Sequence, residues 1–351
     1  MAIFGGGKQL IGLDIGTSSV KLIELKPVGK KDYQLMNLGI ANLPPDTMVD
    51  GDIINTSAVT DAIKSILANL KLKTKNTATA VSGHSVIMKK INMPITTDEA
   101  LAESIQWEAE QYIPFNINEV NLDFQVLERS TAEGQMSVFL VGAKKELINN
   151  YVTAIAEAGL NAAIVDIAVF ALQNIFEINY PEYIDDTVVL INIGASITNF
   201  NVVNKGIPVF ARDLTQSGGN QITEEIQKGL NISREEAEKR KTGAGGTPIT
   251  PDVMEIIKTA FETIAADIQR SIDFYLSTGG EKISRILISG GTSKAPDFLN
   301  LISQKTGLPV EPLNPFKKVA VNTKIFDINY INDIAPIVCL AVGLATRKVG
   351  N

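Results

Sequence analysis

Asp14-Ile15-Gly16-Thr17-Ser18-Ser19 and Asn192-Ile193-Gly194-Ala195-Ser196-Ile197-Thr198 are two versions of one Gly-rich turn, set almost half a chain apart. Leu10-Ile11-Gly12-Leu13 runs into the first and Val188-Val189-Leu190-Ile191 into the second. At each, a glycine permits a tight backbone reversal that leaves N–H groups free. In the first, the hydroxyls of Thr17, Ser18 and Ser19 stand beside them, an arrangement suited to an oxyanion. Beyond the first turn, Val20, Leu22, Ile23 and Leu25 alternate imperfectly instead of recurring at helical spacing, so the chain returns as a strand. Ile197, Phe200, Val202 and Val203 repeat the scheme. A strand–turn–strand hairpin differs from the strand-to-helix transition of a Walker nucleotide loop. A glycine pair, Gly290-Gly291, follows a third apolar run, Ile286-Leu287-Ile288. Together these predict an internally duplicated α/β protein with two facing phosphate-binding turns.

Composition narrows the function. A chain of 351 residues is long enough for two packed lobes with a cleft between them. Lys and Arg total 32 against 39 Asp and Glu, and a formal charge of −7 provides no field for direct nucleic-acid binding. A single cysteine, Cys339, excludes an intramolecular disulfide framework and reads as a core thiol in a reducing compartment. With His84 the only histidine, a His/Cys zinc cluster or a Cys-His catalytic pair is not expected. Gly142-Ala143-Lys144-Lys145 lacks the spacing of a Walker motif. Met1 to Phe4 is followed by glycines and no apolar signal region, and the apolar run Ile334–Ala345 contains Pro336 and falls short of the roughly 20 residues a bilayer span needs. The expectation is a cytoplasmic protein that reaches a membrane only through a partner or a surface contact.

The pattern along the chain predicts three strands from Leu10 to Ile40, a helix from Thr56 through Leu67, and strands at Thr77–Val81 and Val86–Met93. Thr97 caps a helix carrying Leu101, Ile105, Trp107 and Ala109 and ending by Pro114. Strands at Asn121–Leu127 and Gln135–Ala143 flank a turn at Glu133-Gly134, and a helix spans Glu146–Ala158. A break at Ile178–Asp186 separates the halves. In the second half, helices are expected over Thr215–Gly229, Ser233–Lys241, Pro251–Thr278 and Pro296–Thr306, with a loop of glycines and Pro248 at 241–251. Pro309-Val310 reads as a short strand, and a last helix from Ile334 closes onto the first lobe. The domain expectation is residues 8–80 and 144–185 for the first lobe, 81–143 for an insert, 186–333 for the second lobe with a helical part at about 226–280, and 334–351 for the returning helix.

The order of Asp14-Ile-Gly-Thr-Ser-Ser, Asn192-Ile-Gly-Ala-Ser, Ser289-Gly-Gly-Thr-Ser and an apolar helix around Ala335–Ala345 resembles the actin-like ATPase superfamily, which includes actin, sugar kinases and the division protein FtsA. Within it the chain looks like the PilM family of type IV pilus assembly. The details that carry this are Phe4-Gly5-Gly6-Gly7, the stretch Gln106-Trp107-Glu108-Ala109-Glu110-Gln111-Tyr112-Ile113-Pro114-Phe115, and Asp213-Leu214-Thr215 with Gly218-Gly219. The resemblance implies a two-lobed fold of duplicated ribonuclease H-like domains with an FtsA/PilM-type α/β insert, and it implies ATP and Mg²⁺ in the cleft. Asp14 and Asn192 match the two positions that orient Mg²⁺ through water. Gly16, Thr17, Ser18, Ser19 and Lys21 on one side, and Gly194, Ala195 and Ser196 on the other, match the phosphate-gripping turns. Gly290, Gly291 and Thr292 match the nucleoside side, where a Cβ would intrude, with Gly218 and Gly219 at the sugar and Glu236, Lys239 and Arg240 on the helix beside adenine and ribose. The superfamily usually has Asp where this chain has Asn192. An amide adds no negative charge, so metal attraction and water orientation weaken, and ATP binding with slow turnover is expected. Asp166 is the candidate general base.

The resemblance also implies a partner: the short cytoplasmic N-terminus of the membrane protein PilN, received in a groove between insert and first lobe. This would hold the chain beneath the inner membrane as part of the pilus assembly complex. Ile87, Met88, Ile91, Met93 and Trp107 are the expected lining. The alternative readings are an FtsA-like filament, which requires self-association, and a small-molecule kinase of the same superfamily.

Overall fold

The computed structural model describes residues 10–29, 32–130, 134–243, 246–295 and 297–349. The Phe4–Gly7 run, Glu133, Gly245, Pro296 and the last two residues, each used in the reading above, lie outside the described residues.

The chain opens with a meander of β1 (Ile11–Ile15), β2 (Ser19–Pro27) and β3 (Tyr33–Asn42), followed by a small hairpin of β4 (Met48–Val49) and β5 (Asp52–Ile53). Helix α1 (Thr56–Asn69) then crosses over to β6 (Asn76–Val81), which pairs in parallel with β1. Such a parallel return needs a crossover, and α1 supplies it. The expected insert follows: β7 (Val86–Pro94), α2 (Asp98–Ala109), β8 (Val120–Ser130) and β9 (Gln135–Lys144), with β9 central in a three-stranded antiparallel sheet. Thr97 caps α2, its hydroxyl accepting from Ala100 N. Helix α3 (Lys145–Glu157) leads to β10 (Asn161–Ile167), parallel to β6, and α4 (Ala168–Asn179) leaves the lobe.

The second half repeats the plan. A meander of β11 (Thr187–Ile193), β12 (Thr198–Asn204) and β13 (Ile207–Leu214) is followed by helices α5 (Gly219–Leu230), α6 (Arg234–Thr242) and α7 (Pro251–Ser277). Then come β14 (Arg285–Ser289), α8 (Phe298–Thr306) and β15 (Val310–Pro312), both strands parallel to the meander's first strand. The first sheet runs β10-β6-β1-β2-β3 and the second β15-β14-β11-β12-β13, the same order strand for strand. Every residue of β11 is buried, which explains its unbroken apolar run: a strand covered on both faces has no reason to alternate.

The end of the chain belongs to the first lobe. β16 (Val319–Ala320) extends the first sheet beside β3, so the return happens well before the expected residue 334. The helix expected from Ile334 is two: α9 (Ile328–Ile334) and α10 (Cys339–Ala345) meet at a 99° bend through Pro336. Cys339 is buried and free, as its apolar run implies.

Helices α4 and α10 form a layer between the two sheets, and one core contains residues of both lobes. Leu10, Ile23 and Ala78 come from the first sheet, Val188, Leu190 and Leu287 from the second, and Leu172 and Leu344 from the helices. Two glycines make this layer possible. A Cβ on Gly12 would overlap the carbonyl oxygen of Ala341 in α10, and one on Gly343 would overlap that of Ala171 in α4. The outer face of the first sheet buries against α1 and α3, and that of the second against α5, α7 and α8. Among the described residues no single helix is long and apolar enough to cross a membrane.

Because backbone meets backbone at these two points, neither contact relaxes by a rotamer change. Gly12→Ala and Gly343→Ala should each cost about 3 kcal/mol or more, read as the loss in urea-unfolding free energy; a loss below about 1 kcal/mol would show that the helix layer can yield.

Candidate functional site

The two Gly-rich turns are geometrically equivalent. Gly16 N donates to Ser19 O at 3.1 Å, and Gly194 N donates to Ile197 O at 3.0 Å, closing each hairpin in the same way. Just inside each turn lies a directly opposed cross-strand pair: Asp14 faces Lys21, and Asn192 faces Asn199. Here the halves diverge. Lys21 is only 7 % exposed and its Nζ stands 3.2 Å from Asp14 Oδ2, against the bare face of Gly16. The ammonium therefore points inward at the first turn. In the second half the pair is neutral: Asn192 Nδ2 donates to Asn199 Oδ1 at 3.1 Å, and Ser289 Oγ donates to Asn192 Oδ1 at 3.2 Å. Both ends of the Asn192 amide are thus held by protein groups.

The second turn is braced from behind. Gly219 N and Asn220 N, at the start of α5, donate to the carbonyls of Gly194 and Ala195, while Asn220 Nδ2 donates to Ser196 Oγ. Gly218 is required because a Cβ there would lie 2.6 Å from Ala195 O. Its expected place at a sugar gives way to this packing duty. The glycine pair splits similarly: Gly290 (φ +93°) has its alpha carbon pressed on Ile193 and its N–H on Pro336 O, whereas a Cβ at Gly291 would meet nothing within 4 Å. Only Gly291 keeps a space open. Thr292 Oγ1 would lie 3.0 Å from a Cβ at Gly219, so it borders the same corner.

Of the charged residues of α6, Lys239 forms an exposed pair with Glu235 and Arg240 pairs with Glu236, so both have solvent-side helical partners. The residue turned toward the site is Lys241, whose Nζ reaches Gly219 O at 3.1 Å and Thr223 Oγ1 at 2.8 Å and pairs with Glu238. A signal for it was present: Lys241 is four residues beyond the buried Ala237, hence on the same face.

Asp166 does not join the turns. It is 6 % exposed at the end of β10, accepts from Ile167 N at 2.8 Å and pairs with Arg347 at 3.1 Å. Burial pushes its carboxyl up and Arg347 pulls it back. No partner of Asp166 belongs to either turn. The carboxylate that bridges the cleft is Asp213, on β13. Its Oδ1 accepts from Asn199 Nδ2 at 2.8 Å, and its Oδ2 accepts at 2.7 Å from Gly83 N, in the segment that opens the insert. Burial raises it to about 6 against the opposing pull of those two donors and His84. His84 Nε2 and Thr215 Oγ1 share a hydrogen bond of 3.0 Å, a second tie between the same segments.

The expected partner groove is rearranged. Successive residues of a strand face opposite ways, so Ile87, Ile91 and Met93 face α2 in the insert core while Met88 packs on the first-lobe core. Ile91 and Met93 are buried there, and Trp107 stands 73 % exposed on the outer face of α2. These five do not line one surface. The cleft between insert and first lobe, of about 360 Å³, is lined instead by Asp52, Ile53, Ile54, Ser85, Lys144 and Glu146, with Leu147 and Asn150 behind.

The donor set at the turns fits a nucleotide polyphosphate: an inward ammonium at Lys21, turn hydroxyls, and free space over Gly291, with Lys241 nearby but held by Gly219, Thr223 and Glu238. A divalent ion would find one carboxylate, Asp14, and one neutral amide already engaged. Among the described residues no group of three Asp, Glu, His or Cys is placed to hold a metal directly.

Because a Cβ at Gly291 has room, Gly291→Ala should leave the thermal midpoint unchanged and weaken ATP binding about tenfold or more in calorimetry, since a methyl group there enters only the ligand's space. For Asp213 the sign is set by its raised carboxyl. The folded protein binds that proton more tightly than the unfolded chain, whose value is about 3.9, so its contribution is complete below about pH 4 and is lost as pH rises through about 6. Urea titrations from pH 4 to 7.5 should show wild type losing about 2–3 kcal/mol relative to Asp213→Asn across that window; a constant difference would contradict it.

With this geometry in place, three comparisons identify the chain. A family profile described as type IV pilus assembly protein PilM matches residues 12–349. A solved structure of a PilM-PilN type IV pilus biogenesis complex superposes with a TM-score of 0.87 at 29 % identity, covering 98 % of this chain and 99 % of that one. The cell division protein FtsA of Streptococcus pneumoniae is 26 % identical over 262 residues, which is 67 % of this chain but only 55 % of FtsA, so the match spans about half of that relative. MreB 5 of Spiroplasma citri, solved with AMPPNP, shares the fold at 14 % identity with a TM-score of 0.51, covering 96 % of this chain and 94 % of that one. The fold is thus the actin-like ATPase fold with its α/β insert, and the chain belongs to the PilM family of type IV pilus assembly proteins.

Proposed function

We propose that this protein is an ATP-binding scaffold of type IV pilus assembly that works in the cytoplasm. It receives the cytoplasmic N-terminal peptide of a PilN-like membrane protein and is thereby held beneath the inner membrane. The observation that carries the nucleotide half is the unequal pair of turns: a buried, inward Lys21 beside Asp14 in one lobe, and a neutral Asn192 bonded to Asn199 and Ser289 in the other. The first favours gripping phosphate, and the second withholds the charge that would polarise a metal-bound water. ATP with Mg²⁺, when bound, supplies a polyphosphate that both turns can hold, Lys21 by charge and the turn N–H groups by hydrogen bonds. Turnover is slow or negligible on this reading, and the nucleotide acts as a ligand that draws the lobes together. Phosphoryl transfer to a small molecule is disfavoured by the same Asn192.

The partner half rests on the cleft beside the insert. Asp52 and Glu146 lie around Lys144 there, and Asp52 is raised by burial and by Glu146. Two carboxylates around one ammonium leave the cleft acidic. Cytoplasmic segments flanking membrane spans are rich in Lys and Arg, so charge complementarity favours a peptide of that origin, with Ile53 and Ile54 offering it apolar contact.

Calorimetric titration with a peptide copying the cytoplasmic N-terminus of the neighbouring PilN-like protein, with and without Mg-ATP, should give saturable one-to-one binding. Glu146→Lys, at an exposed position, should weaken it about tenfold with an unchanged thermal midpoint. Peptide binding indifferent to that charge reversal would move the partner to another surface.

A further inference from the structure

Ile197 closes the second turn through its carbonyl, which accepts from Gly194 N at 3.0 Å, yet its side chain leaves the second lobe. Its Cδ1 lies 3.5 Å from where a Cβ of Gly51 would stand and 3.3 Å from where one of Gly83 would stand. Both glycines have left-handed backbone, with φ of +91° and +104°. They belong to two first-lobe segments packed main chain to main chain: a Cβ on Gly51 would overlap Ser82 O, and one on Gly83 would overlap Asp50 O. Gly51 O is fixed by the hydroxyl of the buried Tyr151 at 2.9 Å, and Gly83 N by Asp213 at 2.7 Å.

Each segment continues directly into the wall of the insert cleft. Asp52, Ile53 and Ile54 follow Gly51. Ser85 follows Gly83 by two residues, and its carbonyl accepts from Lys144 N at 3.0 Å. The cleft walls are thus separated from the second turn by one isoleucine and two residues without side chains. The glycines have no side chain that could yield, so a displacement of the turn that Ile197 transmits falls on the backbone of both walls.

We propose that Ile197 is the positioning residue through which the second turn, on taking phosphate, sets the shape of the insert cleft and hence its affinity for a peptide. This rests on the nucleotide and partner reading above. It goes beyond it in naming the physical link: the Cδ1 methyl of Ile197, which occupies the space beside the side-chain-free positions Gly51 and Gly83. The Asp213–Gly83 hydrogen bond, which reaches the turn only through Asn199 and Asn192, and the His84–Thr215 bond hold the same segments in register.

The test is peptide affinity of the full chain, by calorimetry, with and without Mg-ATP. Ile197→Val deletes only the Cδ1 methyl and keeps the branching at Cβ, and Ile302→Val makes the same deletion in the second-lobe core away from the cleft. In wild type and Ile302→Val, ATP should change peptide affinity by about fivefold or more. In Ile197→Val, ATP alone and peptide alone should each bind within about twofold of wild type, while the ATP-dependent change falls to about twofold or less. Coupling retained in Ile197→Val, or lost equally in Ile302→Val, overturns the role of Ile197. A wild type that binds both ligands with no change between states overturns it as well. A wild type that binds no peptide, or no ATP, instead removes the proposed function, and the link with it.

Discussion

Everything in this molecule hangs on the contact of backbone with backbone in the layer between the sheets. Two sheets, each apolar on both faces, need something to cover their inner sides, and the fold solves this with one helix from each half. Helix α10 rests on the first sheet at Gly12, and α4 and α10 touch at Gly343. Side chains at either glycine would push the layers apart, and the shared core of Leu10, Leu172, Leu190 and Leu344 would lose its packing density. With the layer closely packed, the central strands β1 and β11, which carry the two turns at their C-terminal ends, are held on either side of one shared core.

On this symmetric frame, function comes from broken symmetry. The opposed pair just inside each turn is ionic in one half and amide–amide in the other, on hairpins that close in the same register. A buried Asp–Lys pair is worth little as a stabilising contact, since desolvation offsets most of the attraction. Its value lies in keeping an ammonium oriented in a low-dielectric place where a polyphosphate would gain most from it. The neutral pair opposite spends its hydrogen bonds on Ser289 and, through Asn199, on Asp213, which ties that half to the insert. On the proposed reading, both turns hold the polyphosphate and the second also passes its arrival on.

The sequence made the architecture legible where periodicity carries the signal. The return of the chain as a strand after Gly16 and Gly194, the capped α2, and the long apolar face of α7 all follow from spacing alone. Orientation within buried strands was not legible. Ser19 through Leu25 is buried at every position, so no alternation marks Lys21 as facing in. For a related reason Ile87, Met88, Ile91 and Met93 read as one apolar run although the pleat sends Met88 away from the others. Asp213 gains its meaning from Gly83, 130 residues earlier, a separation at which no local pattern speaks. The two residues of β16 are too few to show a period at all.

That last strand bears on how the protein is made. Residue 319 lies beside residue 33, and α10 covers the first sheet at Gly12. The first lobe is therefore finished by the final part of the chain, and the two halves are interlocked by exchange of their closing helices instead of being joined end to end. During synthesis the first sheet emerges early and waits, with the surface destined for α10 still bare, until residues 339–345 have left the ribosome. Completion of the first lobe is a late, long-range event with a large loop to close, the kind of step that is slow and that leaves sticky surface available to chaperones or to neighbouring chains. The same interlock means that a chain lacking β16 and α10 leaves the first sheet uncovered at Gly12, although all five strands of the second sheet precede them.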